Sequence, residues 1–341
     1  MSGTNTAASH HVSDMQVLVR AFQLSKLIGV AAELRLADRI AAGAKPVAHL
    51  ARESGANPAM LHRLLRALAA FGIFQMNDGA TVSHSKQSLL LCSGSTPTLH
   101  YAALYRMMAS NWTVWGSLGQ TVRTGEPAFE AIFGVPNFEY LRDHPDEAEL
   151  FNSFMQFSPD DRHAAVAEAY DFSAIATVAD IGGGNGGLLA ALLHKYGNLR
   201  GVLVDQQGAV SGAAQVLGPL AARCMIDAAD FFVRVPAGQD VYVLSQILHD
   251  WNDEACLRIL GTCRAAMRAD SRLLVIERVL GPDADPIDYL SDIEMMLLFP
   301  GARERTLDEY AQLFSAVGFG PPRLIRTRSA FCVLETRAVQ L

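Results

Sequence analysis

A chain of 341 residues that is 50% hydrophobic and carries a formal net charge of −7 is too long for one small domain and too apolar for a disordered one. With 28 Lys+Arg against 35 Asp+Glu, it lacks the positive field that nucleic acid or an anionic membrane surface demands. About two globular domains are expected.

The first residues, Met1 to Asp14, are small and polar, without the charged start and apolar run of a signal peptide. No run of eighteen apolar residues follows, so no membrane span is expected. From Asp14, Met15, Leu18, Val19 and Phe22 recur at helical spacing, and Ile28, Ala31 and Leu34 continue the apolar face. Pro46–Glu53 reads as a helix, Gly55 as a turn, and Asn57-Pro58 as the cap and first residue of a helix ending at Gly72. Ile73–Met76 and Thr81–Ser83 flank Asn77-Asp78-Gly79 as a hairpin.

Helix, turn, helix, hairpin is the outline of a winged helix, which invites a DNA-binding reading. The second helix, Pro58–Ala70, is apolar nearly all round and offers only His62, Arg63 and Arg66 to base edges. Burial within its own domain or in a dimer interface is therefore expected, and no nucleic-acid partner. Gly125–Met155 then carries Phe129, Phe133, Phe138 and Tyr140. It leads into a helix from Pro145 to about Phe157 with Leu150, Phe151, Phe154 and Met155 on it. Most of these side chains read as core, and a few as pocket lining between domains.

After about residue 170 the pattern changes to short β-rich runs alternating with helices, the signature of an α/β sheet. The charge changes with it. The first 150 residues hold 12 Lys+Arg and 12 Asp+Glu, leaving 16 and 23 for the rest, so the acidic excess is confined to the C-terminal part. Three segments are expected: 1–100, helical and winged-helix; 101–170, a helical connection contributing to a substrate pocket; and 171–341, the catalytic part.

The sharpest signal is Thr177-Val-Ala-Asp180-Ile-Gly182-Gly-Gly184-Asn-Gly186, a β-rich run entering a glycine-rich turn from which an apolar helix leaves. Such a turn brings backbone N–H groups close to a ligand. Gly201–Val204 ends in Asp205, a carboxylate placed to hold a ribose diol. The spacing Asp180-x-Gly182-x-Gly184-x-Gly186 puts an acid where a pyrophosphate would be repelled and a cationic amino-acid end tolerated, which favours S-adenosylmethionine over a nicotinamide dinucleotide. A third strand runs from Cys224 through Asp230-Phe231-Phe232, an acid for an adenine amine and an aromatic face for its ring. Strand four, Asp240–Leu244, leads to Ser245 and to His249-Asp250-Trp251-Asn252-Asp253-Glu254. Strand five, Arg272–Ile276, is followed by Glu277, and Glu304 comes after a helix from Pro286 to about Leu298.

With these residues in view, the chain resembles the S-adenosylmethionine-dependent O-methyltransferases typified by plant caffeate and flavonoid enzymes and bacterial natural-product enzymes. The matching segments are Val178–Gly186, Asp230–Phe232, Ile247–Glu254 and Gly301–Thr306. Arg123–Gly125, Phe151–Met155 and the winged-helix region match as well. The resemblance implies a Rossmann-like methyltransferase sheet with helices on both faces, plus a mostly helical N-terminal winged-helix dimerisation domain. It implies His249 as general base, with Glu277 and Glu304 as flanking carboxylates. Asp250 is a further catalytic candidate, alternatively one that orients backbone. Asp180, Gly182, Gly184, Gly186, Asp205, Asp230, Phe231 and Ser245 are the cofactor-binding candidates.

Phe154, Met155, Met295, Met296 and Phe299 match pocket-lining positions suited to a flat aromatic substrate. Three positions depart from the plant pattern. Ala229 replaces a glycine, Ser245 a cofactor-contacting lysine, and Phe299 a substrate-orienting asparagine, which speaks against a phenylpropanoid or catechol acceptor. A homodimer, a small aromatic substrate and antibiotic-type secondary metabolism are implied. The competing readings are N- or C-methylation on the same fold, a nicotinamide oxidoreductase, and a winged-helix regulator.

Cys92, Cys224, Cys256, Cys263 and Cys332 are scattered and form no C-x-x-C pair, a pattern of reduced thiols in the cytoplasm. The Asn111-Trp112-Thr113 sequon then reads as a chance match. No histidine or carboxylate cluster shows ligand spacing, so no metal is expected.

Overall fold

The computed structural model describes residues 14–157 and 161–339. They form two compact units, one comprising the chain up to Thr113 with the segment beginning at His144, the other Val114–Asp143 with the remainder. The connection expected over 101–170 is thus shared out between the two.

In the first unit, Asn57 caps the helix Pro58–Ala70, its side-chain oxygen accepting from the Ala59 and Met60 N–H groups at 3.0 and 3.2 Å. Leu61, Leu65 and Leu68 are the buried face of that helix. They pack with Leu36, Ile40, Leu50, Phe74 and Val82 into one core. The wing is a three-stranded antiparallel sheet of β1 (Lys45–Pro46), β2 (Phe74–Asn77) and β3 (Thr81–His84), in the order β1-β3-β2. His62, one of the three side chains offered to base edges, is held to the wing. Its Nε2 lies 2.7 Å from the Gly79 carbonyl in the wing turn. The apolar N-terminal face behaves in two ways. Gly29, Ala31 and Ala32 are buried, whereas Met15, Leu18, Val19 and Phe22 stand 58–67% exposed. Asn111 is buried, its amide donating to the Tyr105 carbonyl, which keeps the sequon from any glycosyl group.

The second unit is built on a seven-stranded sheet. Its strands in chain order are β4 (Thr177–Ile181), β5 (Arg200–Asp205), β6 (Cys224–Ala228), β7 (Val241–Ser245), β8 (Arg272–Glu277), β11 (Arg323–Arg326) and β12 (Cys332–Arg337). A separate parallel pair, β9 (Val279–Leu280) and β10 (Arg305–Thr306), lies outside it. The spatial order is β11-β12-β8-β7-β4-β5-β6, with β12 antiparallel to both of its neighbours and the rest parallel.

Both faces are covered, which is why the strands read as near-continuous apolar runs. Val241 and Val243 join Leu188, Leu192, Leu274 and Val333 in one core. Tyr242 and Leu244, pointing the other way, join Ile259, Leu260, Tyr310 and Phe314 in the second. The helix Gly187–Lys195 therefore packs on one face, and Asp253–Ala266 and Leu307–Ala316 on the other. Chain order reverses at β4, so the crevice at the carboxyl ends of β4, β5 and β7 is where an open α/β sheet takes its ligand. The third strand ends at Ala228, leaving Asp230–Phe232 in the loop beyond it rather than in the strand.

Candidate active site

The glycine loop leaves β4 with Gly182, Gly184 and Gly186 at φ +71°, +58° and +83°, the left-handed region that side chains resist. At Gly182 a Cβ would collide with Ile247 Cδ1, with Phe231 Cε1 at 3.5 Å. Phe231 and Ile247 therefore flank the loop at backbone distance. Gly184 N–H donates to Asp205 Oδ2 at 2.9 Å, and Gln206 N–H to Asp205 Oδ1 at 2.7 Å. Each oxygen of Asp205 keeps a lone pair for a further donor, the pair of acceptors that a ribose diol needs. Burial pushes the Asp205 carboxyl up, against the two N–H groups that hold it down. Asp230 Oδ1 accepts from the Phe232 N–H at 2.9 Å, which shapes the loop that presents Phe231. Ser245 closes β7 opposite Ile276. These residues fit an adenosine-bearing cofactor at the carboxyl edge of the sheet.

Asp180 differs from expectation. It is 1% exposed, and both of its oxygens are buried without a hydrogen-bond partner. A Cβ on Gly183 would stand 2.5 Å from its Oδ2, so the loop roofs it over and it has no direct contact to offer a cofactor. Burial, with the charge of Asp205 added, pushes its pKa up to about 7. The folded chain thus binds this proton more tightly than the unfolded one. The stabilisation is present below the ordinary carboxylate range and is lost as pH rises through about 7. The ligand-free protein is accordingly expected to melt lower at pH 8 than at pH 5. Asp180→Asn should flatten that dependence between pH 5 and pH 8 by about 3 kcal/mol. Thermal melts of both proteins across this range are the measurement, and parallel curves would refute it.

The second group lies beyond β7 and β8. His249 sits on the single 3₁₀ turn Leu248–Asp250. Its Nδ1 is 3.2 Å from Glu304 Oε1 and 3.3 Å from Glu277 Oε2, and its Nε2 is 3.3 Å from Asp250 Oδ1. Glu277, the last residue of β8, is fully buried. Its Oε1 accepts the Ile247 and Leu248 N–H groups at 3.0 and 2.8 Å, so the carboxylate also shapes the turn that carries the histidine. Glu304 N–H donates to Asp292 at 2.9 Å.

Burial alone would lower the imidazole. The charges of Glu277, Asp250 and Glu304, and the Glu304 hydrogen bond, outweigh it and push the His249 pKa up to about 10. Burial raises Glu277 to about 7 and Asp250 to about 6, against the pull of His249. Asp250 is thus a member of this cluster and not a cap for the following helix, which Asn252 caps. One ligand atom each from His249, Glu277 and Glu304 lies within 4.8 Å of the others. Sequence spacing hid this cluster because its members come from three separate segments.

The pocket candidates fall in both units. In the first, Phe154 stacks on Tyr105 at 4.3 Å, and Met155 lies on the same helix, Pro145–Gln156. In the second, Met295 and Phe299 pack against the cluster of Val114, Phe129, Leu297 and Leu298, and Phe299 stacks on Phe138 at 5.1 Å. Met296 is half-buried on the helix Pro286–Leu298.

Sequence reasoning missed three residues. Arg162, buried at the start of the helix Arg162–Ala169, donates to Gln246 Oε1 at 3.1 Å. Gln246 itself takes φ +56° between Ser245 and Ile247. Arg305, with no exposed surface, is the third. A buried arginine violates the rule that charge lies outside, so only its place within the Gly301–Thr306 match signalled it.

A mostly parallel sheet with a glycine loop and a carboxylate at its switch point, and an acid-boxed histidine at the same edge, fits an S-adenosylmethionine-dependent methyltransferase. The chain belongs to the O-methyltransferase family. The family model of the O-methyltransferase domain matches residues 115–320, and that of the O-methyltransferase dimerisation domain matches residues 17–94.

It is similar to the phenazine O-methyltransferase PhzM of Lysobacter antibioticus, 36% identical over 343 residues that cover 99% of this chain and 100% of that one. It is similar also to the phenazine-1-carboxylate N-methyltransferase of Pseudomonas aeruginosa, 32% identical over 332 residues, 95% of this chain and 96% of that one. The crystal structure of an O-methyltransferase from neocarzinostatin biosynthesis, in complex with S-adenosylmethionine and 2-hydroxy-5-methyl naphthoic acid, matches with a TM-score of 0.79 at 31% identity, over 93% and 96% of the two chains. The protein is an S-adenosylmethionine-dependent O-methyltransferase of the natural-product type. Among the described residues no helix is long and apolar enough to cross a membrane.

Proposed function

We propose that the protein methylates a hydroxyl of a small, flat aromatic acceptor, with His249 as general base and Glu277 and Glu304 as its supporting carboxylates. The observation that carries this reading is the pair of contacts at 3.2 and 3.3 Å from His249 Nδ1 to Glu304 and Glu277. They favour Nδ1 as a protonated nitrogen; Nε2, which lies 3.3 Å from Asp250 Oδ1, is the nitrogen proposed to give up that contact and take the acceptor's proton. When bound, S-adenosylmethionine supplies a methyl group on a cationic sulfur. The glycine loop, Asp205, Asp230 and Phe231 hold the donor side. Met295, Met296 and Phe299 are proposed to hold the acceptor ring.

Such positioning for in-line displacement supplies roughly 7–11 kcal/mol. A phenol with an ordinary pKa near 10 costs about 4 kcal/mol to ionise at pH 7, which is the share left to the base. The aromatic acceptors of the related proteins, a phenazine and a naphthoic acid, agree with the lining.

Transfer of labelled methyl to paired hydroxy and amino derivatives of naphthoate and phenazine tests the reading. Label on the hydroxy member of each pair is expected, and exclusive labelling of nitrogen would overturn it. We further infer that a second copy of this chain covers the exposed Met15–Phe22 face, which overlaps the matched dimerisation segment. A dimer mass in sedimentation is expected, and a monomer would refute it.

A further inference from the structure

Arg305 has no exposed surface, yet it carries a charge. Its guanidinium spends its donors on a single turn. Nη1 donates to the Leu248 carbonyl at 2.7 Å, Nη2 to the Trp251 carbonyl at 2.8 Å, and Nε and Nη2 both reach Asp253 Oδ1, at 3.2 and 2.8 Å. The neighbouring Arg303 N–H donates to the His249 carbonyl at 3.0 Å. Three of the four carbonyls from Leu248 to Trp251 are therefore turned toward the 303–305 segment. That segment is in turn registered on the chain just beyond Glu277, where β10 pairs with β9, Arg305 opposite Val279.

Burying a guanidinium for stability alone is a poor bargain, because an apolar side chain of like volume commonly does as well. What an apolar residue cannot do is accept a fixed geometry from three separate oxygens. The planar fork of arginine does this, and the point charge of lysine does not.

We propose that Arg305 is a positioning residue for methyl transfer, clamping the Leu248–Trp251 turn to the strand-like segment that carries Glu304 and so setting the separation of His249 from both glutamates. The proposal rests on the reading of His249 as general base. None of the hydrogen-bond partners of Arg305 is a candidate cofactor-binding residue, so its loss should act on the chemical step and not on cofactor affinity.

The test is Arg305→Lys, assayed for kcat, for KM of S-adenosylmethionine and for the pH dependence of kcat/KM, alone and combined with His249→Ala. A misplacement of this kind is expected to cost roughly 10–100-fold in kcat. KM for S-adenosylmethionine should stay nearly constant, and the acidic limb of the profile should move to lower pH. In the His249→Ala background the same change should have almost no further effect, because both act through one group. An unchanged kcat, a parallel loss of cofactor affinity, an unmoved limb, or additive effects in the double variant would each overturn it.

If Arg305→Lys does not fold, Asp253→Asn carries the test. Asp253 is half-exposed at the first turn of its helix and anchors the same guanidinium, so a smaller loss of the same kind is expected. Full activity in that variant would refute the clamp. Full activity of His249→Ala would instead strike the base reading itself, and the clamp with it. An inactive His249→Ala beside an unaffected Arg305→Lys strikes the clamp alone.

Discussion

His249→Ala is expected to bind S-adenosylhomocysteine as the parent does, yet to turn over a hydroxyl acceptor roughly 10²–10⁴-fold more slowly. The contacts of His249 are with Glu277, Glu304 and Asp250, whereas cofactor affinity is assigned to Gly182–Gly186, Asp205 and Phe231. The two readouts should therefore separate. A loss of that size corresponds to about 3–5.5 kcal/mol of transition-state stabilisation, close to the cost of ionising a phenol at neutral pH. The same variant distinguishes acceptor chemistries. A hydroxyl must lose its proton before or during attack, but a ring nitrogen attacks with a lone pair that carries none. Titration calorimetry and single-turnover methyl transfer are the measurements. Undiminished turnover of a phenol would show that positioning alone suffices.

The second large effect is on pH dependence. A base works when it is unprotonated, and the carboxylates around His249 hold its proton on, with the pKa pushed up to about 10. For the free enzyme, kcat/KM on a phenol is thus expected to climb through the alkaline range, with a limb belonging to the cluster as a whole. Replacing Glu304 by Gln removes one negative charge and the acceptor 3.2 Å from Nδ1. The imidazolium loses part of its stabilisation, its pKa falls, and the limb moves to lower pH by roughly 1–2 units. Glu277→Gln should shift it in the same direction while leaving a carbonyl to receive the Ile247 and Leu248 N–H groups. Both variants gain unprotonated histidine near neutrality but lose basicity, so their profiles should cross that of the parent. A second acceptor with a more acidic hydroxyl separates the enzyme's limb from the substrate's. A limb that stays in place, or moves to higher pH, would refute the arrangement.

How far the sequence was legible depended on how local the determinants are. The glycine loop, Asp205 and the ends of β4, β5, β7 and β8 could be read because a run of alternating strands and helices places strand ends on one edge. The winged outline could be read from Asn57-Pro58 and Asn77-Asp78-Gly79, whose backbone preferences act within four residues. Groups that meet through space have no linear spacing: Glu277 and Glu304 reach His249 from two other segments, and it was the family resemblance, not spacing, that named them as its flanking carboxylates. Asp180 was read as facing a cation because its place at a strand end is visible in the sequence, but the roof made by Gly183 is not. The apolar spacing at Met15–Phe22 marked a face to be buried, and within the described chain nothing buries it. The strain at Gln246 was invisible because glutamine carries no signal for a left-handed backbone.

One feature of the sheet bears on how the enzyme comes into being. β12 is not an edge strand. It inserts between β8 and β11, with Val333 and Leu334 fully buried and Cys332 opposite Glu277. The flank of Glu277 is therefore supplied by residues that a ribosome adds well after β8. Until they dock, β8 presents a long apolar edge to any neighbouring chain, the kind of template on which half-made sheets associate. Activity should accordingly be the final property to return on refolding, after the glycine loop and the parallel strands have formed, and the yield should fall with protein concentration. The interval between synthesis of β8 and closure by β12 is when this enzyme most needs dilution or a chaperone.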